Sequence, residues 1–190
     1  NFATIVHAIE EGRSIYRNIR RTLQFMMVTD GAEGLILLAA VLAEMTLPIT
    51  PLQILWVNMI TAVTLSLAFA FAHADASVMQ RPPIPQHAPL FYNAAVVSFV
   101  CHMLLITGLT IELFVYKMNN DASLPLARTL AVNTLVFYQI FYLWGIFVTR
   151  SYKKEQWRIA IAPALISTCA AICFQLLFTY HIWMRSEEHT

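Results

Sequence analysis

Pro51 to Ala72 reads PLQILWVNMITAVTLSLAFAFA, a stretch without one charged side chain. About 20 consecutive apolar residues span a hydrocarbon core of roughly 30 Å. A helix is the local form that satisfies its own backbone there. Working outward, Thr22 to Leu47 carries only Asp30, Glu33 and Glu44 as charges, and three further apolar runs follow downstream. Across the 190 residues 58% are hydrophobic and 12% charged. Soluble domains run nearer ~45–50% and ~25%. A buried helix of a large soluble protein accounts for one such run, but five of them leave no amphipathic shell. The sequence therefore specifies an all-α, polytopic helical membrane protein.

Five spans are expected, at about 22–44, 51–72, 89–116, 128–149 and 157–183. The first continues upstream as a charged helix, Ile5 to Arg21, so one long rod should leave the membrane, with residues 1–21 as a stalk. Met45 to Thr50, with Pro48, forms a short turn, and the polar, proline-bearing stretch His73 to Ala88 reads as a connecting loop. Of twelve Lys and Arg, nine fall at Arg13, Arg17, Arg20, Arg21, Arg81, Arg150, Lys153, Lys154 and Arg158. Basic residues favour the cytoplasmic side, which places the stalk and the 150–158 loop inside and residues 117–125 outside. These clusters are interrupted by apolar runs and give no continuous basic face for nucleic acid. Cys101, Cys169 and Cys173 lie within apolar segments and read as packing thiols. The start at Asn1, inside a helix, suggests an internal piece of a longer chain. Residues 185–190 (Arg-Ser-Glu-Glu-His-Thr) match what a common sequencing adapter encodes in frame, and are set aside as a candidate artefact.

Charge at the centre of a bilayer costs at least ~2.5–3.5 kcal/mol per residue, so the acids inside span one call for a reason. Asp30 and Glu33 stand one turn apart on a shared face, and the adjoining Gly31 and Gly34 permit close helix approach. Two carboxylates with nearby neutral oxygens suit a hard cation. The bland alternative puts Asp30 near the interface, solvated or paired with Arg21. Asn58 and Thr61 in span two, and Gln139 in span four, offer neutral oxygens for the same purpose, or act as glue between helices. Glu112 reads as a residue near the outer end paired with Lys117, and His102 as a packed histidine. Neither an inverted repeat nor a broken helix is legible, which counts against a secondary transporter. A non-enzymatic scaffold stays open.

Longer motifs narrow this further. Glu10-Glu11-Gly12-Arg13-Ser14-Ile15-Tyr16-Arg17-Asn18-Ile19 resembles the stalk that joins the phosphorylation domain to the fifth membrane helix of P-type cation ATPases, and Asn1 to Ile5 resembles the stretch before it. Pro51-Leu52-Gln53-Ile54-Leu55-Trp56-Val57-Asn58 is similar to the start of the family's sixth helix, and Met79-Gln80-Arg81-Pro82-Pro83 to the loop beyond. Their order and spacing resemble most the bacterial calcium-type pumps.

The resemblance implies helices five to nine of such a pump, in a bacterial plasma membrane, with Mg-ATP used by domains upstream of Asn1. It assigns this stretch no catalytic residue of its own. Its partners would be the lipid bilayer and the rest of the pump, with no nucleic acid. Position by position, Glu33 falls on the fifth-helix glutamate, Asp30 on the neighbouring amide position, and Asn58 and Thr61 on sixth-helix ligands. Gln139 falls where two-site calcium pumps carry an eighth-helix glutamate. The sixth-helix aspartate that bridges their calcium sites is Ala62 here. The transported cation is therefore calcium or another divalent ion, with a monovalent ion or proton as the alternative.

Overall fold

Phe2 to Leu42 forms a single helix, α1, of 41 residues. At 1.5 Å per residue it is about 60 Å long, roughly twice a hydrocarbon core. Its buried residues, Phe25, Val28, Thr29, Ala32, Glu33, Ile36 and Ala40, recur at helical spacing along one face. None lies before Phe25, and residues 2–12 are exposed throughout, so the first three turns project from the bundle while the rest of the stalk lies along it. The computed structural model describes residues 2–72, 79–80, 82–83, 85, 87, 89–148 and 157–180, with backbone alone at 62–63 and 157–160. Most of the expected connecting loop with its Arg81, the basic residues Arg150, Lys153 and Lys154, the end of the fifth span and the 185–190 tail lie outside the described residues.

The helix ends follow from local chemistry. Glu44 takes the left-handed conformation with φ 50°. Met45 N–H donates to Ala40 O at 3.0 Å and Glu44 N–H to Val41 O at 3.2 Å. These two bonds form the motif that satisfies the last carbonyls of a helix, here without its usual glycine. The next helix, α2 (Pro51–Ile60), opens with a reciprocal cap. Gln53 N–H donates to Thr50 Oγ1 at 3.3 Å, and Thr50 N–H to Gln53 Oε1 at 3.0 Å. Pro51 at the first helical position loses no bond.

The second span departs from the expected continuous helix. It runs as α2, then a π-helical segment at Thr61–Leu65, then α3 (Ser66–Ala70). Among the described residues, four helices are individually long and apolar enough to cross a membrane: α1, α4 (Asn93–Asn119), α5 (Leu124–Val148) and the Ile161–Tyr180 part of α6 (Trp157–Tyr180). The pieces of span two do so only end to end.

Helix α5 is the axis of the assembly. Ala127, Val132, Leu135, Leu143 and Phe147 are among its many buried residues, and α4, α6, α1, α2 and the π segment all pack on it. An aromatic ladder ties three helices together: Phe25 lies 5.7 Å from Phe69 and 6.1 Å from Tyr142, and Phe69 lies 5.3 Å from Phe147. Helix α4 also packs along α1, where Thr107 Oγ1 donates to Ala32 O at 3.3 Å. The large apolar residues turned outward, such as Leu38, Leu104 and Phe141, belong against lipid. Cys101, Cys169 and Cys173 join them on the exposed surface, which corrects the expectation that they pack inside.

Gly31 lets α4 come this close. A Cβ there would sit 2.5 Å from Met103 Sδ. A thioether end gives way to one methyl, but not to a branched side chain. Gly31→Val is expected to destabilise the intact protein by about 1–3 kcal/mol, read as a lower thermal midpoint in detergent, and Met103→Ala in the same chain should restore part of it. A Gly31→Val protein as stable as wild type would mean that α1 and α4 do not pack as described.

Candidate cation site

Three of the five sequence-selected residues meet inside the bundle. Glu33 on α1 is 5% exposed, Thr61 at the start of the π segment 3%, and Gln139 on α5 fully buried. Gln139 Nε2 donates to Glu33 Oε1 at 3.3 Å, and Thr61 Oγ1 donates to Gln139 Oε1 at 2.7 Å. One amide thus bridges a carboxylate and a hydroxyl from three separate helices. Asn58, half-buried one turn before Thr61, also reaches the Glu33 carboxylate by its side chain.

Asp30 behaves differently. It lies exposed on the bundle surface, with Thr29 Oγ1 3.4 Å from its Oδ1. It stands one turn before Glu33 on α1. Ala62 falls in the π segment, where its backbone alone is described. Among the described residues no three His, Cys, Asp or Glu gather at one point. A cation held here would therefore draw on one or two carboxylates and otherwise on neutral oxygens.

The π segment matters for the chemistry. In this geometry Ser66 N–H bonds to Thr61 O, five residues back. Thr64 Oγ1 bonds to Ile60 O, the back-bonding that bends helices. A widened turn re-aims side chains and loosens carbonyls, and such bulges recur at functional positions. Here the break begins at the residue that hydrogen-bonds Gln139.

Two features escaped the sequence reading. Gln175 on α6, 4% exposed, donates to Asn133 Oδ1 at 2.6 Å and accepts from Trp56 Nε1 at 3.4 Å, while Thr179 Oγ1 lies 3.3 Å from the same Asn133 oxygen. This uncharged network ties α2, α5 and α6 together. The spacing of Gln175 and Thr179, one turn apart in an apolar run, was the available signal. The second is Asn18 on the stalk, whose Nδ2 donates to Ala72 O at 3.0 Å and so fastens the rod to the end of span two. His102 is satisfied locally, as expected. Its Nδ1 donates to Ser98 O at 2.7 Å and its ring lies 4.9 Å from Tyr142.

A helical bundle with apolar outer faces and a buried carboxylate–amide–hydroxyl cluster defines a multi-pass integral membrane protein with a polar site between its helices. Residues 46–186 match the family model described as "Cation transporting ATPase, C-terminus", and the chain belongs to that family. It is 38% identical over 183 residues to "Probable cation-transporting ATPase F" of Mycobacterium tuberculosis, covering 95% of this chain and 20% of that protein. It is 31% identical over 190 residues to "Cation-transporting ATPase pma1" of Synechocystis, covering 94% of this chain and 20% of that one. To the "Calcium-transporting ATPase" of Bacillus subtilis it is 35% identical over 145 residues, covering 76% and 16% respectively. The chain thus spans about a fifth of the length of the curated relatives it matches.

Proposed function

We propose that this chain is the intramembrane cation-binding portion of an ATP-driven cation pump, with Glu33, Asp30, Asn58, Thr61 and Gln139 as its ligand set. The observation that supports this most is the buried bridge Glu33–Gln139–Thr61 at the point where span two breaks its α-helical ladder. A carboxylate within apolar helices is costly, and a glue role needs only neutral groups, such as those of the Asn133–Gln175 network.

Calcium, or another hard divalent ion, is the cargo this set suits. Oxygen donors of mixed charge in a flexible arrangement are what such ions take, and relatives named as calcium-transporting ATPases support it. Exposed Asp30 and half-buried Asn58 border the Glu33 cluster, and further helices of a longer protein would complete the shell over them. The Gln139 amide directs its N–H at Glu33. A half-turn of that amide would present Oε1 to an arriving cation and leave Nε2 to donate to Thr61 Oγ1.

Coupling would run along α1. Arg21 and Glu33 are 12 residues apart on one helix, about 18 Å, and the Asn18–Ala72 bond joins the stalk to span two. A tilt of the stalk, driven by Mg-ATP at domains of the longer protein, would therefore move both walls of the site. The low charge of the buried set, with Gln139 and Ala62 both neutral, favours a monovalent ion or proton as the second reading.

One titration separates them. ATP hydrolysis by the intact purified protein is expected to rise with micromolar calcium at constant magnesium. Stimulation by sodium, potassium or acid alone would give the second reading, and no cation dependence at all would remove the pump reading.

A further inference from the structure

Trp56 on α2 is held by α6 at two points one turn apart. Its Nε1 donates to Gln175 Oε1 at 3.4 Å, and its ring stacks on Phe178 with centres 5.2 Å apart and planes 19° from parallel. Gln175 is 4% exposed, and its Nε2 donates to Asn133 Oδ1 on α5 at 2.6 Å. One amide on α6 thus joins α2 to α5, the helices that carry Asn58 and Gln139. Successive residues of an α-helix are about 100° apart around its axis, so Trp56 and Asn58 project from opposite sides of α2. A tryptophan fixed on the α6 side therefore sets the rotation at which Asn58 meets Glu33. The π segment at Thr61–Leu65 interrupts the helical ladder between α2 and α3. On the far side of that break Phe69 packs on Phe25 of α1. The α2 half has an anchor of its own, on α6.

We propose that Gln175, acting through Trp56, is a positioning residue for the cation site: it fixes the rotation and register of α2 so that Asn58 and Thr61 face Glu33 and Gln139. The inference rests on the cation-pump reading above, and adds to it a residue from α6, a helix that contributes no ligand. The hydrogen bonds of the Gln175 side chain go to Trp56 and Asn133, neither a member of the ligand set. Apolar packing is non-directional, whereas an indole N–H paired with an amide oxygen prefers one line of approach. A rotation of α2 by about 20° would move an oxygen some 6 Å from its axis by about 2 Å. The donor distances of a calcium shell span only about 0.3 Å. A slip of that size would take Asn58 out of the shell while leaving every ligand residue in place in the sequence.

Calcium-dependent phosphorylation from ATP, measured on the intact protein, tests it with Trp56→Phe, Gln175→Leu and the double variant. Trp56→Phe keeps a ring against Phe178 and removes the N–H. Each single substitution is expected to raise the calcium concentration for half-maximal phosphorylation about three- to ten-fold, the range set by one hydrogen bond between membrane helices, with the maximal level unchanged. The double variant is expected to be no weaker than Gln175→Leu, since both changes remove the same link. Trp56→Phe decides the matter if Gln175→Leu does not fold. A wild-type half-maximal concentration in Trp56→Phe, even with a lowered thermal midpoint, would make the network glue alone and overturn the positioning role. So would an undiminished effect of Trp56→Phe on the Gln175→Leu background. Glu33→Gln in the same assay keeps the two readings apart. A loss there beside wild-type behaviour in Trp56→Phe overturns this inference alone, whereas no cation dependence in wild type overturns the pump reading with it.

Discussion

Glu33→Gln in the intact protein is expected to raise the cation concentration for half-maximal phosphorylation from ATP by at least about thirty-fold. The substitution keeps the shape of the side chain and most of its packing, so the bundle should assemble normally. It removes the buried carboxylate of the cluster and leaves Gln139 Nε2 facing a neutral amide oxygen in place of Glu33 Oε1. Ligand charge count tunes hard-cation affinity over several decades, and few carboxylates are available here to spread the loss. Asp30→Asn should weaken affinity less, because that side chain lies at the exposed edge of the cluster. Equal affinity for Glu33→Gln and wild type would place the cation elsewhere.

The second large effect is expected from Gln139→Leu. Leucine fills nearly the same volume in a fully buried position, so little cavity forms. What disappears is the donor to Glu33 and the acceptor for Thr61. Hydrogen bonds between membrane helices contribute about 0.6–2 kcal/mol each, so a loss of roughly 1–4 kcal/mol in stability follows for the pair. Cation affinity should fall about ten-fold as well, since no amide oxygen remains to turn towards the ion. Thr61→Val removes one of the two bonds and should show about half the stability loss. Thermal unfolding of the intact variants, in the presence and absence of cation, reads both quantities. Gln139→Leu with wild-type stability and wild-type affinity would mean that the amide is a bystander.

The membrane class and the buried carboxylate were legible because the bilayer makes polarity expensive. Glu33 stands out in an apolar run for that reason alone, and Gln139 and Thr61 could at least be named as candidates. Their meeting point could not be read, because it depends on how α1, α5 and the π segment face one another. The break in span two has no local sign: Thr61 to Leu65 contains neither proline nor glycine. It coincides with one tertiary bond, Thr61 to Gln139, and one local bond, Thr64 back to Ile60. The arginines of the stalk were read only as topological charge. The stacking of Arg20 on the Phe91 and Tyr92 rings, some seventy residues away in sequence, has no local sign either. The cysteines were misjudged because an apolar run in a membrane protein has two apolar surroundings, core and lipid, and hydropathy does not tell them apart.

Equilibrium binding of radioactive calcium to the intact, nucleotide-free protein, wild type against Glu33→Gln, is the most direct test of the cluster as the cation site. Saturable micromolar binding in wild type, reduced to background over the same range in Glu33→Gln, is the predicted result. Undiminished binding in the variant, with the protein folded and monodisperse, would contradict it.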